Sequence, residues 1–282
     1  MDSTLQQTLQ TRAAQLRQWH QEPPILLLPN AWDAASARIF AQLEFRAVAT
    51  TSSGVAAAYG YPDGEHMSRS LMIETVRRIA GAVDCPVTAD IEAGYGETIE
   101  EKLHTIQQVV EAGAVGINVE DSMERGAPAL ASVTAQTELI QAIRAEAVEW
   151  GIPLVINART DVYLHRAGDA EAMLTEAVRR AHAYLAAGAD CVFPIGVTDT
   201  ATIGTLVREI NAPVNILASP QTPTIPELAS LGVARVSFGG GFARVALGAV
   251  RHAAQEILRQ GTFSSMEREA LPSSDFRHLF SM

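Results

Sequence analysis

Eight short apolar, β-branched runs, each followed by a segment with helical spacing, limit this chain to a parallel sheet covered by helices. In order they are ILLLPNAW (25–32), AVATTSSG (47–54), PVTADIEAG (86–94), GINVED (116–121), LVINARTD (154–161), CVFPIG (191–196), VNILASP (214–220) and RVSFGG (235–240). Segments such as DAASARIFAQL, ETVRRIAGAV and EAVRRAHAYLAAG supply the helices between them. The glycines of EAGA and AAGAD stand where helices should end before the fourth and sixth runs. Eight units are the number that closes a (β/α)8 TIM barrel. A doubly wound open sheet is the alternative, but its usual Gly-rich first turn is missing from NAWDAAS.

The expected architecture is therefore a single α/β domain over residues 1–282. An amphipathic helix at about 4–20, with Leu5, Leu9, Leu16 and Trp19 on one face, precedes a barrel at about 25–259. A helical extension at about 260–282 follows. Its Phe276, Leu279 and Phe280 need a surface to bury against, on the chain's own barrel or on a neighbouring subunit.

Composition removes several functions. A hydrophobic content of 48% is enough for a core, and no apolar run approaches the length of a membrane span. The start, MDSTLQQTLQ, is polar and unlike a secretory signal. A net charge of −11 argues against nucleic acid or an anionic membrane as partner, since both call for basic patches. A small anionic substrate needs only local positive charge. Cys85 and Cys191 are too few for a disulfide framework and lack zinc spacing, which makes a reducing cytoplasm the simplest location. Lys102 is the one lysine among 21 basic residues, and within TIEEKLHTIQQVV it reads as a solvated side chain. Schiff-base chemistry, which needs a desolvated lysine, is disfavoured.

In such a barrel the active site lies at the C-terminal ends of the strands. The first strand brings Asn30, Trp32 and Asp33 there, and the second Thr50, Thr51, Ser52 and Ser53. A long loop then carries Tyr61, Asp63, Glu65 and His66. The third strand supplies Asp90 and Glu92, which share a face because side chains alternate with period two. The fourth gives Asn118 and Glu120, with Asp121 opposite, and the fifth Asn157, Arg159 and Asp161. Asn215, Ser219 and Ser237 complete the rim.

Four of these residues, Asp63, Asp90, Glu92 and Glu120, are carboxylates on consecutive elements, and like charges so placed call for a counter-cation. Oxygen-only ligands point to Mg2+ first and Mn2+ second, with some acids acting through water. Ion pairing with arginines is the competing reading. Arg159, on the next strand, offers a planar fork for a carboxylate or phosphate; its own alternative is an ion pair with Asp161 or Glu120. Cation and guanidinium together would clamp a small 2-oxo acid and stabilise an enolate formed from it. SSG (52–54) adds candidate backbone donors, and SFGGGFAR resembles either a barrel phosphate site or close glycine packing.

The segments PNAWDAASA, TSSGVAAAYGYPD, ADIEAGYG, GINVEDS and INARTDVYL occur in order over about residues 25–165. Together they resemble the isocitrate lyase/phosphoenolpyruvate mutase superfamily. The resemblance implies a (β/α)8 barrel whose last helix is exchanged between subunits of a tetramer, a dimer of dimers. It also implies Mg2+ and 2-oxo-acid or related carboxylate substrates, cleaved through an enolate. Asp90, Glu92 and Glu120 match the family's metal acids, and Asp63 an acid acting through water. Ser53, Gly54 and Val55 match its carboxylate-binding segment, and Arg159 its substrate arginine. The candidate set is then Arg159 and Asp63 as catalytic residues, with Thr51, Ser53, Gly54, Val55, Asp90, Arg159 and Asn215 binding substrate.

Two departures narrow the chemistry. Family lyases carry a Lys-Lys-Cys-Gly-His type motif after the fourth strand, whereas this loop reads SMERGAPALAS. Cys85 and Cys191 stand at strand starts, at the opposite end of the barrel. Mutases carry a lysine after the glutamate pair, where this chain has Ser122. What remains suits decarboxylation or hydrolysis of oxaloacetate, with Arg125 and Gly126 in a loop that could close as a lid. Tyr61, Tyr95, His66 and His165 are candidate proton donors. Phosphonopyruvate-type P–C chemistry, or a 2-oxo-acid sensor with little catalysis, are the alternatives.

Overall fold

The structure is a computed structural model that describes residues 3–122 and 129–280. Its elements are, in order, α1 (Ser3–Gln21), β1 (Leu26–Leu28), β2 (Asn30–Ala31), α2 (Ala34–Gln42), β3 (Val48–Thr50), α3 (Ser52–Ala58) and α4 (Arg69–Ala80). There follow β4 (Val87–Asp90), α5 (Ile99–Glu111), β5 (Gly116–Glu120), α6 (Val133–Glu149), β6 (Val155–Thr160), α7 (Ala170–Ala186) and β7 (Cys191–Pro194). Last come α8 (Thr200–Ile210), β8 (Asn215–Leu217), α9 (Ile225–Ser230), β9 (Arg235–Ser237), α10 (Gly241–Gln260), α11 (Ser264–Glu269) and α12 (Ser273–His278).

All strand pairings are parallel, in the orders β2-β3-β4-β5-β6-β7 and β1-β9-β8. Pro29 separates β1 from β2 because it has no N–H to add to the ladder, although its carbonyl still accepts from Ala49 N at 2.9 Å. The two pieces form one bent strand that joins both sheets. On the other side a Val192–Val214 bridge joins β7 to β8 and closes the ring. The result is the (β/α)8 barrel expected from the repeats.

Along β5 the alternation decides what goes where. Ile117 and Val119 are fully buried against the helices, while Asn118 and Glu120 point into the barrel. Each such apolar side chain contributes roughly 1.5–3 kcal/mol by leaving water. Helix α1 lies across the N-terminal ends of the strands. Gln6 and Gln10 bond to the Trp150 and Gly151 carbonyls before β6, at 2.9 and 2.7 Å, and Arg17 pairs with Asp190 before β7 at 2.9 Å. The barrel floor is thus plugged, and access is from the opposite rim.

The C-terminal part departs from a plain barrel. Helix α10 buries Ala243 and Glu256, but leaves Val245, Val250 and Leu258 exposed at 70%, 67% and 86%. Of the three apolar tail residues, Leu279 is buried on the chain's own surface, where Arg38 Nη1 bonds its carbonyl at 2.9 Å. Phe276 and Phe280 remain half exposed. Among the described residues, no helix is long and apolar enough to cross a membrane.

Candidate active site

The site begins where β4 ends. Backbone register sets Asp90 beside Asn118 of β5, and Asn118 beside Asn157 of β6. Their side chains form a chain of hydrogen bonds. Asn157 Nδ2 donates to Asn118 Oδ1 at 2.8 Å, and Asn118 Nδ2 to Asp90 Oδ1 at 3.0 Å. Ser52 N, at the start of α3, donates to Asp90 Oδ2 at 3.0 Å, and Thr50 Oγ1 accepts from Asp90 N at 2.8 Å. Asp90 is therefore fixed from β3, β5 and the start of α3.

Beyond Asp90 the chain turns sharply. Glu92 has φ of 51°, in the left-handed region that residues with a Cβ avoid, and Gly94 has φ of 110°. Such strain clusters at functional sites. The turn aims the Glu92 carboxylate at the loop before α4. Oε2 accepts from Gly64 N at 2.8 Å and Glu65 N at 2.7 Å, while Oε1 accepts from Tyr95 OH at 2.6 Å. Lys102 is half buried rather than freely solvated, because its stem packs over Gly94.

Arg159 makes both of the ion pairs that the sequence left as alternatives. Nη1 is 2.6 Å from Glu120, its register partner on β5. Nε and Nη2 grip Asp161 in a two-point fork at 2.6 and 2.9 Å. Asp161 also accepts from Ser122 Oγ at 2.5 Å, and Ser122 Oγ lies 3.2 Å from His165 Nε2. Asp121, facing the other way, is a buried anchor held by Tyr184 OH at 2.6 Å and Arg180 at 2.9 Å.

The electrostatics report crowded negative charge. Burial, together with the charges of Asp90 and Asp63, pushes Glu92 up to about 7 despite its hydrogen bond from Tyr95. Burial lifts Glu120 well above the usual carboxylate range; Arg159 opposes this, and Asp161, Asp90 and Glu92 add to it. Asp63 is raised by desolvation and by Asp90. Burial would lower Arg159, but Glu120 and Asp161 outweigh it and keep the guanidinium charged.

Asp63, Asp90 and Arg159 line one cavity of about 230 Å3, together with Thr51, Ser52, Ser53, Gly239 and Gly240. Several expected residues are placed differently. Gly54 N turns back to Thr51 Oγ1 and Val55 N to Thr51 O, so both donors are consumed in the first turn of α3. A Cβ on Gly54 would stand 2.6 Å from Thr51 Cγ2, so the glycine answers a packing need. Asn215 is fully buried, bonds Ser237 Oγ at 3.1 Å and does not line the cavity. Asp33 caps α2. Gly240 lets the chain pass Ser53, whose Oγ is 2.7 Å from where a Cβ would sit, and Asn30 Oδ1 accepts from Gly239 N at 2.9 Å. Gly239 and Gly240 are thus engaged in close packing at the cavity wall, while Gly241 has open space around it. Tyr61 and His66 are exposed, and Tyr95 is committed to Glu92. Arg125 and Gly126, the expected lid residues, lie outside the described residues.

The four acids do not close into a ready-made ligand set: among the described residues, no three acid, histidine or cysteine side chains converge as metal ligands. Glu92 is held by its hydrogen bonds and Glu120 by Arg159, so Asp90 and Asp63 are the acids that face the cavity. The donor chemistry still fits Mg2+, which takes oxygen ligands, keeps several waters and needs only one or two direct carboxylates. A cation beside Asp90 would also relieve the charge that raises Glu92, Glu120 and Asp63.

One residue at this site escaped the sequence reading. Arg235 lines the same cavity from the first position of β9. Its spacing of two from Ser237 was the available signal.

The chain is similar to known proteins over most of its length. The protein is 38% identical over 240 residues to the uncharacterized protein Rv1998c of Mycobacterium tuberculosis, covering 84% of this chain and 86% of the relative. It is 28% identical over 260 residues to an oxaloacetate decarboxylase of Bradyrhizobium diazoefficiens, covering 89% and 86%. A candidate lyase/mutase of Burkholderia cenocepacia superposes with TM-score 0.90 at 37% identity, over 98% of both chains. A phosphonopyruvate hydrolase in complex with oxalate and Mg2+ superposes with TM-score 0.83 at 26% identity, over 95% and 94%. The family described as phosphoenolpyruvate phosphomutase matches residues 16–258, and the chain belongs to that family, within a superfamily of lyases and mutases.

Proposed function

We propose that this protein is a Mg2+-dependent carbon–carbon lyase acting on a small 2-oxo (di)carboxylate of the oxaloacetate type. One observation carries the reading: excess carboxylate charge around Asp90 opens into the same cavity as the buried, charged guanidinium of Arg159. Mg2+, held by Asp90 and through water by Asp63, Glu92 and Glu120, would supply a Lewis acid for the 2-oxo oxygen.

The chain's own residues do the rest. Arg159, oriented by Asp161, holds the carboxylate next to the 2-oxo group, and Ser53 lines the same cavity. In decarboxylation the electron pair of the C3–C4 bond moves into the C2 carbonyl as CO2 departs. The charge that develops on oxygen lies near Arg159, so it is favoured more than the substrate's ground state. No base is needed to start this step, which suits a site without the lyase cysteine motif. A proton from solvent must then reach C3; His165, Ser122 and Asp161 form a hydrogen-bonded chain behind Arg159 that orients the guanidinium. The α10 face points to a homo-oligomer, and the cytoplasm remains the proposed location.

Turnover of oxaloacetate, 2-oxoglutarate and phosphonopyruvate, with and without Mg2+, tests this. Asp90→Asn should abolish Mg2+-dependent turnover of a 2-oxo acid while the protein stays folded. Turnover that is undiminished without divalent metal, or in Asp90→Asn, sinks the proposal. Activity confined to phosphonopyruvate would reassign the site to P–C chemistry.

A further inference from the structure

The cavity that holds Asp90 and Arg159 runs inward to Arg235, which is only 2% exposed. A guanidinium carries five N–H donors and a permanent charge, and burying it without a partner is costly. Among the described residues, its one hydrogen-bonding contact is Nη1 with His20 Nε2 at 3.4 Å, and Nε has no partner. No Asp or Glu among the described residues forms an ion pair with it, in contrast to Arg159, which holds two. His20 cannot neutralise it. With His20 Nδ1 2.7 Å from the Leu16 carbonyl, the proton sits on Nδ1 and Nε2 is a neutral acceptor. Thr88 Oγ1, on the same cavity wall, is also buried without a partner.

The charged residues lining the cavity are Asp63, Asp90, Arg159 and Arg235. The two acids suit a cation, and Arg159 is balanced by Glu120 and Asp161. Of the two arginines among the described lining residues, Arg235 is the one with no ion pair, although the Asp90 charge reaches it across the cavity. We propose that Arg235 seats the distal carboxylate of a dicarboxylate substrate and sets the preference for diacids over monoacids. This rests on the 2-oxo-acid reading above and adds the ligand's second end. A carboxylate gripped by a guanidinium resists leaving as CO2, because the stabilised charge would be lost. The seated group is therefore one that the reaction keeps: with a four-carbon 2-oxo diacid the seat disfavours the C3–C4 decarboxylation written above and favours hydrolysis of the C2–C3 bond, which leaves the distal carboxylate in place.

Calorimetric titration of the Mg2+-loaded protein tests the seat with ligands matched in chain length. Malate is compared with 2-hydroxybutyrate, 2-oxoglutarate with 2-oxopentanoate, and oxalate reports the metal end alone. The diacid of each pair should bind about tenfold to a hundredfold tighter, the range of a charge-assisted hydrogen bond. Arg235→Met should remove that preference and leave oxalate affinity unchanged, and Arg235→Lys should keep part of it. Oxalate binding with equal affinity for diacid and monoacid in the unaltered protein overturns the seat and leaves the 2-oxo-acid reading standing. So does a diacid preference that survives in Arg235→Met. Failure of oxalate to bind overturns the underlying reading, and the seat with it. The unaltered protein alone decides the matter if a variant does not fold.

Discussion

Replacing His20 by Gln should make the fold markedly less sensitive to acid. His20 is 3% exposed on the inner face of α1, with one nitrogen on the Leu16 carbonyl and the other facing Arg235. Burial, and then the Arg235 charge, lower its pKa from 6.5 to about 3, the Leu16 bond opposing them. The folded form thus binds the proton less readily than the unfolded chain does. Stability from this residue is complete above pH 6.5 and is lost as pH falls toward 3. The slope is about 1.4 kcal/mol per pH unit, so the loss at pH 4.5 is about 2.7 kcal/mol. Urea unfolding of both proteins at pH 7.5 and pH 4.5 measures it. The raised carboxylates Glu92 and Glu120 have the opposite sign, gaining stability as pH falls. They lie at the other end of the barrel, so their effect cancels in the difference between the proteins. Whatever Gln costs in packing appears at both pH values; the change between them is the test. A difference that stays constant with pH would show that His20 is protonated or solvated in the folded protein, and the assignment of its tautomer would fail.

The carboxylates around Asp90 predict proton-linked metal binding. Because Glu92 titrates near 7 and Glu120 and Asp63 are raised, Mg2+ competes with protons, and its affinity should rise as pH goes from 6 to 8 with net proton release. Calorimetry in buffers of different ionisation enthalpy reads this directly, and pH-independent binding counts against the site. The exposed face of α10, with Val250 and Leu258 at 67% and 86%, predicts self-association. Light scattering should find a dimer or tetramer that Val250→Asp with Leu258→Asp dissociates; a monomer in the unaltered protein refutes it.

Periodicity made the barrel legible because each strand's alternation is a local property. The eight runs needed no long-range information, and Pro29 within the first changed its hydrogen bonding but not its place. The rim was legible for the same reason: Asp90, Asn118 and Arg159 fall at strand ends, where the fold puts chemistry. Partners were harder to read. Glu92 looks like a metal ligand by spacing, yet its positive φ turns it toward Gly64, Glu65 and Tyr95, a tertiary contact with no signature at positions 90–96. Gly54 and Val55 lie in a matching segment, but their N–H groups close the first turn of α3. Arg235 was overlooked because a strand's first residue lies at the end of the barrel away from the rim. Its importance comes from a cavity deep enough to reach it.

Glu120 links the two halves of the site, because it cannot serve both of them fully. In the structure it neutralises Arg159 Nη1 at 2.6 Å, while Asp161 holds the other edge of the guanidinium. Drawing Glu120 toward a cation frees Nη1 for a substrate carboxylate, and the Asp161 fork keeps the guanidinium plane oriented. Metal and anion sites coupled in this way must strengthen each other equally, whichever binds first. Oxalate also chelates Mg2+ directly, so mutual strengthening alone does not isolate the role of Glu120. The metal-free protein does. Glu120→Gln removes the charge competing for Nη1, and it should bind oxalate without metal about tenfold more tightly than the unaltered protein, the scale of one charged hydrogen bond. Its gain on adding Mg2+ should shrink to match. If metal-free affinity is the same in both proteins, Glu120 is not what keeps Arg159 from its substrate, and the two sites are joined only through the ligand they share.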